Sequence, residues 1–501
     1  MKRILVAGAS GFIGQSLINN MVKNHSIEIT ALSRRDYSSR KKSSPQVIWR
    51  QCDLFSLKQL ESAFDRPFDT AVYLVHSMLP VARLVQASFS DMDALLADNF
   101  VRVANAAGVK RIVYLSGIIP DGPLSKHLQS RLEVEQILGQ FKGQLMVLRS
   151  GLIIGETGSS FQMMNRLVHR LPMMICPSWA YTLGQPIAEN DVVQILTQLT
   201  SDEMTNTDAS KYSSHSTPII IDLAGPEVLS YVEMMKRIAK ILRKKSLFVN
   251  VPWVPTQLSK LWVSVITRTP YRLVSPLVDS LHHNMLPTNG QSTLNELLPH
   301  RTSFQQSIIN ATTFKHQESN SPVLLAEPKS IEPRKIGPKT DLVCSIARLP
   351  LGSVGPSHFD AIGLAREYSH WLVRFFWPVI KVNFSQSGCL DFYIPKVFLL
   401  GIHLSLLKLQ LSTERSSETR ALFYITGGVL VANDAPENGR LEFRILRHKP
   451  IALASIFDFK PALPWYIYRN TQALVHAFVM RQFAKHLKKL KTSTKRSFDQ
   501  R

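Results

Sequence analysis

Apolar and polar positions alternate along the first third of the chain in two different periods. "KRILVAGASGFIGQSLINNMVKN" (2–24) runs from an apolar stretch into glycines and then into a segment with apolar residues at helical spacing. That order predicts a strand, a tight turn and a helix. Further strands are predicted at "IEITAL" (27–32), "QVIWRQCDL" (46–54), "DTAVYLVHSM" (69–78), "KRIVYLSG" (110–117) and "GQLMVLRSGLIIG" (143–155). Amphipathic helices are predicted at "FSDMDALLADNFVRVANAAGV" (89–109) and "QSRLEVEQILGQF" (129–141). Strands alternating with helices imply an α/β fold with a parallel sheet wound on both faces.

The first turn carries candidate chemistry. Gly8, Gly11 and Gly14 are spaced G-x-x-G-x-x-G between the first strand and the first helix. In that context Gly8 permits the tight turn, Gly11 lets backbone approach a pyrophosphate, and Gly14 lets the helix pack close to the sheet. The phosphates would rest on N–H groups at the helix start, around Ser10, Gly11, Phe12, Ile13 and Gly14. The second strand ends in Ser33-Arg34-Arg35, a hydroxyl and two guanidinium groups that suit a 2′-phosphate, so NADP is favoured. Asp36 could serve NAD instead. Asp53 and Leu54 could flank an adenine, and His76 and Ser77 stand at a strand end where a nicotinamide would be lined.

Length and charge extend the picture. A chain of 501 residues is too long for one compact core. The N-terminus reads as a strand and not a signal peptide. "VFLLGIHLSLLKL" (397–409) contains a His and a Lys and is too short to span a bilayer. Cys52, Cys176, Cys344 and Cys389 are far apart without a C-x-x-C pair, which predicts reduced thiols, no metal site and a cytoplasmic location. The formal charge of +22 is concentrated only in the tail "RQFAKHLKKLKTSTKRSFDQR" (481–501). That tail is a solvated basic terminus or a peripheral contact with an anionic membrane surface. No nucleic-acid fold signature accompanies it.

These stretches together resemble a known superfamily. The glycine turn, Asp53-Leu54, "DNFVRVANAAGVKRIVYLSG" (98–117) and "LRSGLIIG" (148–155) resemble an extended or atypical short-chain dehydrogenase/reductase with a Rossmann-type domain. "VYLVHSM" (72–78), "HLQSRLEVEQIL" (127–138), "SSFQMMNRLVHRLPMMICPSW" (159–179), "QPIAENDVV" (185–193), "LAGPEVLSYVEMM" (223–235) and "LSKLWVSVITRTP" (258–270) are similar to NmrA-like and YbjT-like NAD(P)-binding proteins. The resemblance covers roughly residues 1–313 and implies an interleaved substrate cap. Residues 426–487 resemble an additional family module, a helix-grip-like fold in which strands such as "RLEFRIL" and "ASIFDFKP" precede one long helix. An apolar pocket there is implied by resemblance. The expected organisation is 1–313, a proline-rich linker at 314–341, a C-terminal α+β domain at 342–490 and a basic tail at 491–501. The polar stretch 201–217 reads as a surface loop. The Met pairs at 163–164, 173–174 and 234–235 read as packing, and the aromatic run "WLVRFFWPVI" (371–380) reads as buried core or the wall of an apolar pocket, core being preferred.

One departure bears on the chemistry. The superfamily uses Tyr-x-x-x-Lys with an upstream Ser or Thr. The resemblance places Ser116 at the hydroxyl position, His127 in place of Tyr and Arg131 in place of Lys. Histidine can exchange a proton at neutral pH, and Arg131 would stay charged and could bond a ribose. The same residues also suit a helix start with Ser125 as N-cap, without chemical role. Three readings follow. One is an NADP(H)-dependent reductase of an apolar carbonyl or quinone-like compound. Another is a non-catalytic nucleotide-binding sensor, as in the nucleotide-binding accessory subunit of respiratory complex I. The third is a lipid or quinone carrier acting through the C-terminal domain.

Overall fold

The protein is described as a computed structural model over residues 1–37, 44–77, 84–201, 217–312, 342–352, 360–385, 388–396 and 404–490. The expected linker, the basic tail and nearly all of the 201–217 stretch lie outside the described residues. By contacts the chain divides into two units, one of residues 1–79 and 96–334, the other of residues 80–95 and 335–501. The segment 80–95 therefore groups with the second unit, although the sequence reading placed it in the first domain.

The first unit is built on a seven-stranded parallel sheet. Its elements run β1 (Lys2–Ala7), α1 (Phe12–Met21), β2 (Ile27–Ser33), β3 (Val47–Gln51), α2 (Leu57–Ala63) and β4 (Thr70–Tyr73). After the short strand β5 (Leu84–Gln86), which belongs to the second unit, come α3 (Phe89–Ala106), β6 (Arg111–Gly117), α4 (Lys126–Leu138) and β7 (Gln144–Ser150). The sheet order is β3-β2-β1-β4-β6-β7, closed by strand Ile219–Leu223, and every pairing is parallel. Chain order reverses between β1 and β4, so the crevice for a ligand lies at their carboxyl ends. Ile4, Leu5, Val6 and Ala7 are fully buried, because helices cover both faces of a parallel sheet and leave no polar alternation. This is the doubly wound fold expected from the sequence.

Two boundaries differ. The strand expected at 69–78 ends at Tyr73, so His76 and Ser77 belong to the loop that follows. The strand expected at 143–155 is interrupted after Ser150, and a separate short strand, Ile153–Ile154, pairs with Ile187–Ala188.

Above the carboxyl end of the sheet stands a helical layer with its own core. It includes α5 (Ser159–Arg170) and helices Tyr231–Ile241, Thr256–Thr267 and Tyr271–Ser280. Phe161, Met164, Met174, Trp179, Met234, Val263 and Val274 are buried in it. Met173 departs from the packing expectation: it alternates outward on a short edge strand and is 54% exposed.

The second unit contains an eight-stranded sheet. Seven strands, from Lys381–Phe384 at one edge to Val343–Pro350, are antiparallel neighbours, and β5 adds parallel to Val343–Pro350 at the other edge. Helices Ala361–Phe375 and Gln472–Lys489 complete its core around Trp371, Phe443 and Phe483. The aromatic run 371–380 divides: Trp371 is buried, whereas Trp377 is 75% exposed, because the helix ends at Phe375 and the chain leaves the core. Among the described residues no helix is long and apolar enough to cross a membrane. Cys52, Cys176 and Cys344 are buried free thiols and Cys389 is half-buried.

Strand Arg440–Leu446 carries a buried charge cluster. Arg444 Nε donates to Glu442 Oε1 at 2.7 Å, and Arg420 lies 3.1 Å from Glu442 Oε2. Burial alone pushes the Glu442 carboxyl up, but the guanidiniums of Arg444 and Arg420 outweigh it and hold it at about 2. A carboxyl lowered on folding stabilises the fold above its unfolded value near 4.5 and loses that contribution as pH falls toward about 2. Acid titration followed by circular dichroism is therefore expected to weaken this unit across that window. Glu442→Gln leaves buried guanidiniums uncompensated, and a loss of about 3–5 kcal/mol is expected in denaturant unfolding.

Candidate functional site

The β1–α1 turn has the geometry that the glycine spacing implied. Gly8 has φ +85°, a left-handed conformation that favours glycine, and a Cβ on it would stand 2.8 Å from the Leu74 carbonyl oxygen. A Cβ on Gly14 would stand 2.4 Å from the Gly8 carbonyl oxygen, so the helix can approach the turn only without a side chain there. Gly11 is different. Its Cβ would meet only the Gly8 carbonyl, at 3.1 Å, and the residue is exposed. Gly11 is the N-cap of α1, no side chain caps the helix, and the first-turn N–H groups keep their anion-binding capacity. Ile13 turns its side chain into the core, so only its backbone serves the turn. Phe12 packs against the Gly155–Gly158 segment, where its ring would be 2.5 Å from a Cβ on Gly155.

The strand-end residues play mixed parts. Arg34 and Arg35 are exposed after β2. Ser33 is buried, and its Oγ accepts from the Arg35 backbone N–H at 3.2 Å. Its hydroxyl thus shapes the turn as an acceptor and keeps its own proton to donate. Asp53 Oδ1 accepts from Phe55 N at 3.2 Å and so helps form its own turn. Leu54 is buried, and its carbonyl accepts from the buried Asn99 amide at 2.8 Å. Burial, and then the neighbouring Asp53 charge, push the Cys52 thiol up to about 12, so Cys52 is a neutral packing group.

The HLQSR segment begins α4. Ser125 caps it by accepting from Leu128 N at 3.3 Å, as its place before the apolar run implied. The i, i+4 spacing of His127 and Arg131 then turns both toward the sheet end. Arg131 donates to His76 Nδ1 at 2.5 Å, and the His76 and His127 rings stand 5.2 Å apart at 49°. Because a guanidinium only donates, His76 Nδ1 is an acceptor and its ring proton sits on Nε2. His127 Nδ1 lies 3.1 Å from Ser280 Oγ. Ser280 Oγ also lies 2.9 Å from the Pro276 carbonyl oxygen and 3.0 Å from Ser125 Oγ.

Ser116 has a buried partner of its own. Its Oγ donates to Glu135 Oε1 at 2.8 Å, and Glu135 is held by Arg149 at 2.7 Å, all of them buried. Ser116 is therefore committed to an ion pair and does not line the cavity described next. Arg131 does not line it either; it is buried and clamps His76. Ser77 is buried in the β4 loop without entering the cavity lining.

A cavity of about 160 Å³ opens where β6 and β7 end, lined by Gly117, Ile118, His127, Ser150 and Gly151 on the sheet side. Met163, Met164, Trp179, Tyr231 and Met285 form much of the opposite wall, and no Asp, Glu, Lys or Arg is among the described lining residues. Met173 apart, the methionines of the expected pairs are buried, and three of them, Met163, Met164 and Met235, also face this space. Trp179, Tyr231, Ser280 and Met285 were not singled out by sequence. Nothing in a local apolar period separates a residue facing a cavity from one facing a filled core.

Fold and site define a Rossmann-type α/β unit with an apolar cavity at the carboxyl end of its sheet. Residues 4–131 match the model of the NAD dependent epimerase/dehydratase family. Auxiliary protein GraX of Staphylococcus aureus is 33% identical over 116 residues, which are 23% of this chain and 36% of that protein. The matched stretch thus spans about a third of that relative's length. Similar solved structures include a nucleoside-diphosphate-sugar epimerase from Staphylococcus aureus (16% identity, 62% of this chain and 99% of that one, TM-score 0.47). Two others are the Citrobacter sp. triphenylmethane reductase complexed with NADP(H) (16%, 62% and 99%, 0.47) and an NADPH-dependent quinone oxidoreductase from Escherichia coli complexed with NADPH (17%, 61% and 98%, 0.47).

The glycines separate two effects experimentally. Gly11→Val should abolish nucleotide binding in a folded protein, because the side chain enters the space next to the first-turn N–H groups. Gly14→Val should unfold the unit, because its Cβ has no room. NADPH titration by fluorescence alongside circular dichroism distinguishes them.

Proposed function

We propose that the first unit binds NADP(H) and reduces an apolar, uncharged carbonyl compound, with His127 as proton donor. The supporting observation is that His127 lines the apolar cavity at the sheet end while its Nδ1 is held by Ser280. The uncapped α1 start and the room at Gly11 fit a pyrophosphate, and Arg34 and Arg35 fit a 2′-phosphate. A bound nicotinamide would supply the hydride. His127 in its charged form gives the Nε2 proton to the carbonyl oxygen as that oxygen becomes an alcohol, returns to the neutral ring and is recharged from solvent. Arg131 is a positioning residue: it fixes the His76 ring, which stacks at an angle on His127. The apolar walls select against charged substrates, since an ion there would lose its hydration without a counter-charge.

A second reading is a nucleotide-binding protein without turnover. Its support is the commitment of Ser116 to Glu135 and Arg149, which leaves no second hydroxyl of the family type at the carbonyl.

Hydride transfer from NADPH to a panel of quinones, enones and isoprenoid aldehydes decides between them. Turnover is expected, with kcat for His127→Gln lower by about 10²–10⁴-fold and cofactor affinity nearly unchanged. The reduction rate should decline as pH rises, because the donor must be protonated. Normal turnover by His127→Gln removes the donor role, and no turnover on any substrate favours the second reading. NADPH should bind more tightly than NADH by about 1.5–3 kcal/mol per charge-assisted bond, and Arg34→Ala should narrow the difference. Equal affinities in the unaltered protein count against NADP.

A further inference from the structure

The second unit has its own cavity, of about 200 Å³, between its sheet and the helix Gln472–Lys489. Interiors pack densely, and a dry void of this size destabilises a fold in proportion to its volume. A void of about 150 Å³ already accommodates a benzene ring. The walls are mainly apolar, from residues such as Phe392, Leu409, Ile425, Leu441 and Phe459.

The polar groups in the lining have a pattern. Gln472, Val475, His476 and Val479 all line the cavity and sit at i, i+3, i+4 and i+7, one face of the helix. The Gln472 side-chain oxygen is buried and accepts no hydrogen bond from the protein. A buried amide oxygen left this way is costly, and a purely structural void would be better served by leucine. Tyr368 reaches the same space, its ring set by Phe443 at 5.4 Å and Phe483 at 5.1 Å. Burial pushes the Tyr368 phenol up to about 12, so it remains an O–H donor. Burial also pushes His476 down to about 4, so at neutral pH it is an uncharged ring with one donor and one acceptor. No Asp, Glu, Lys or Arg is among the described lining residues. Val475 both lines the cavity and is 54% exposed, which places an opening to the surface at this helix face.

We propose that this cavity binds a small apolar molecule carrying one uncharged hydrogen-bonding group, a hydroxyl in particular, which donates to Gln472. A hydrocarbon would leave the Gln472 oxygen unsatisfied. A carboxylate or phosphate would enter without a counter-charge and meet an acceptor oxygen. The site is separate from the His127 cavity and stands whether or not the first unit is a reductase.

The test uses the full chain and three probes of one shape: 2-naphthol, naphthalene and 2-naphthoate, titrated by calorimetry. 2-Naphthol is expected to bind best and 2-naphthoate worst. Gln472→Leu should weaken 2-naphthol by about 3–10-fold, the worth of one hydrogen bond, and leave naphthalene unweakened. Val475→Trp should fill the opening and abolish binding of both, while His127→Gln should alter neither. Should Val475→Trp fail to fold, the Gln472→Leu comparison stands alone, because leucine suits the apolar surroundings. Binding of 2-naphthol unchanged by Gln472→Leu, binding of 2-naphthoate equal to 2-naphthol, or no binding by any probe overturns the proposal.

Discussion

No side chain fits between the start of α1 and the turn that leads into it. The 2.4 Å that would separate a Gly14 Cβ from the Gly8 carbonyl oxygen is backbone against backbone, and no rotamer relieves it. This close approach puts the uncapped end of α1 at the point where strand order reverses between β1 and β4. It also lets Ser16, one turn into the helix, bond Glu189 on the facing helix α6 (Glu189–Ser201). Burial pushes the Glu189 carboxyl up and Glu156 adds to that, while the Ser16 hydroxyl opposes it, so an acid is held against α1 by a neutral partner. The glycines therefore set both the open phosphate cradle and the packing of the helix beneath it.

Proton chemistry at the sheet end depends on similar allocation of single hydrogens. Ser280 Oγ is shared among His127 Nδ1, the Pro276 carbonyl and Ser125 Oγ. Arg131 has donors only, which makes His76 an acceptor at Nδ1. The His76 ring thus faces a neighbour that can only donate. Ser116 gives its proton to the buried Glu135 carboxylate. Among the described residues that line the two cavities there is no Asp, Glu, Lys or Arg, and the buried charges Glu135 with Arg149 and Glu442 with Arg420 and Arg444 are paired with one another.

What could be read from the sequence was whatever depends on short-range period and backbone freedom. The strand–glycine–helix opening, the order of alternating elements and the Ser125 cap all appear where the pattern placed them, because each is decided within a few residues. The ends of strands were read less well. The apolar run through Tyr73 continues to Met78, yet pairing with β1 and β6 stops at Tyr73, and pairing is a property of neighbours.

The site divides along the same line. Sequence alone determined the glycine turn, the exposed arginines after β2 and the one-turn spacing of His127 and Arg131. Only tertiary structure decided that His127 meets Ser280, 153 residues away, that Arg131 clamps His76, and that Ser116 is held by Glu135. It alone decided which apolar residues border empty space and which are fully packed, since a methionine in a cavity wall and one in a core have the same local period. The grouping of 80–95 with the second unit was likewise hidden, because β5 finds its partner, Val343–Pro350, more than 250 residues further along the chain. Helical and glycine geometry are encoded by residues close in sequence, whereas proton ownership, cavity walls and edge-strand partners are set by residues that only folding brings together.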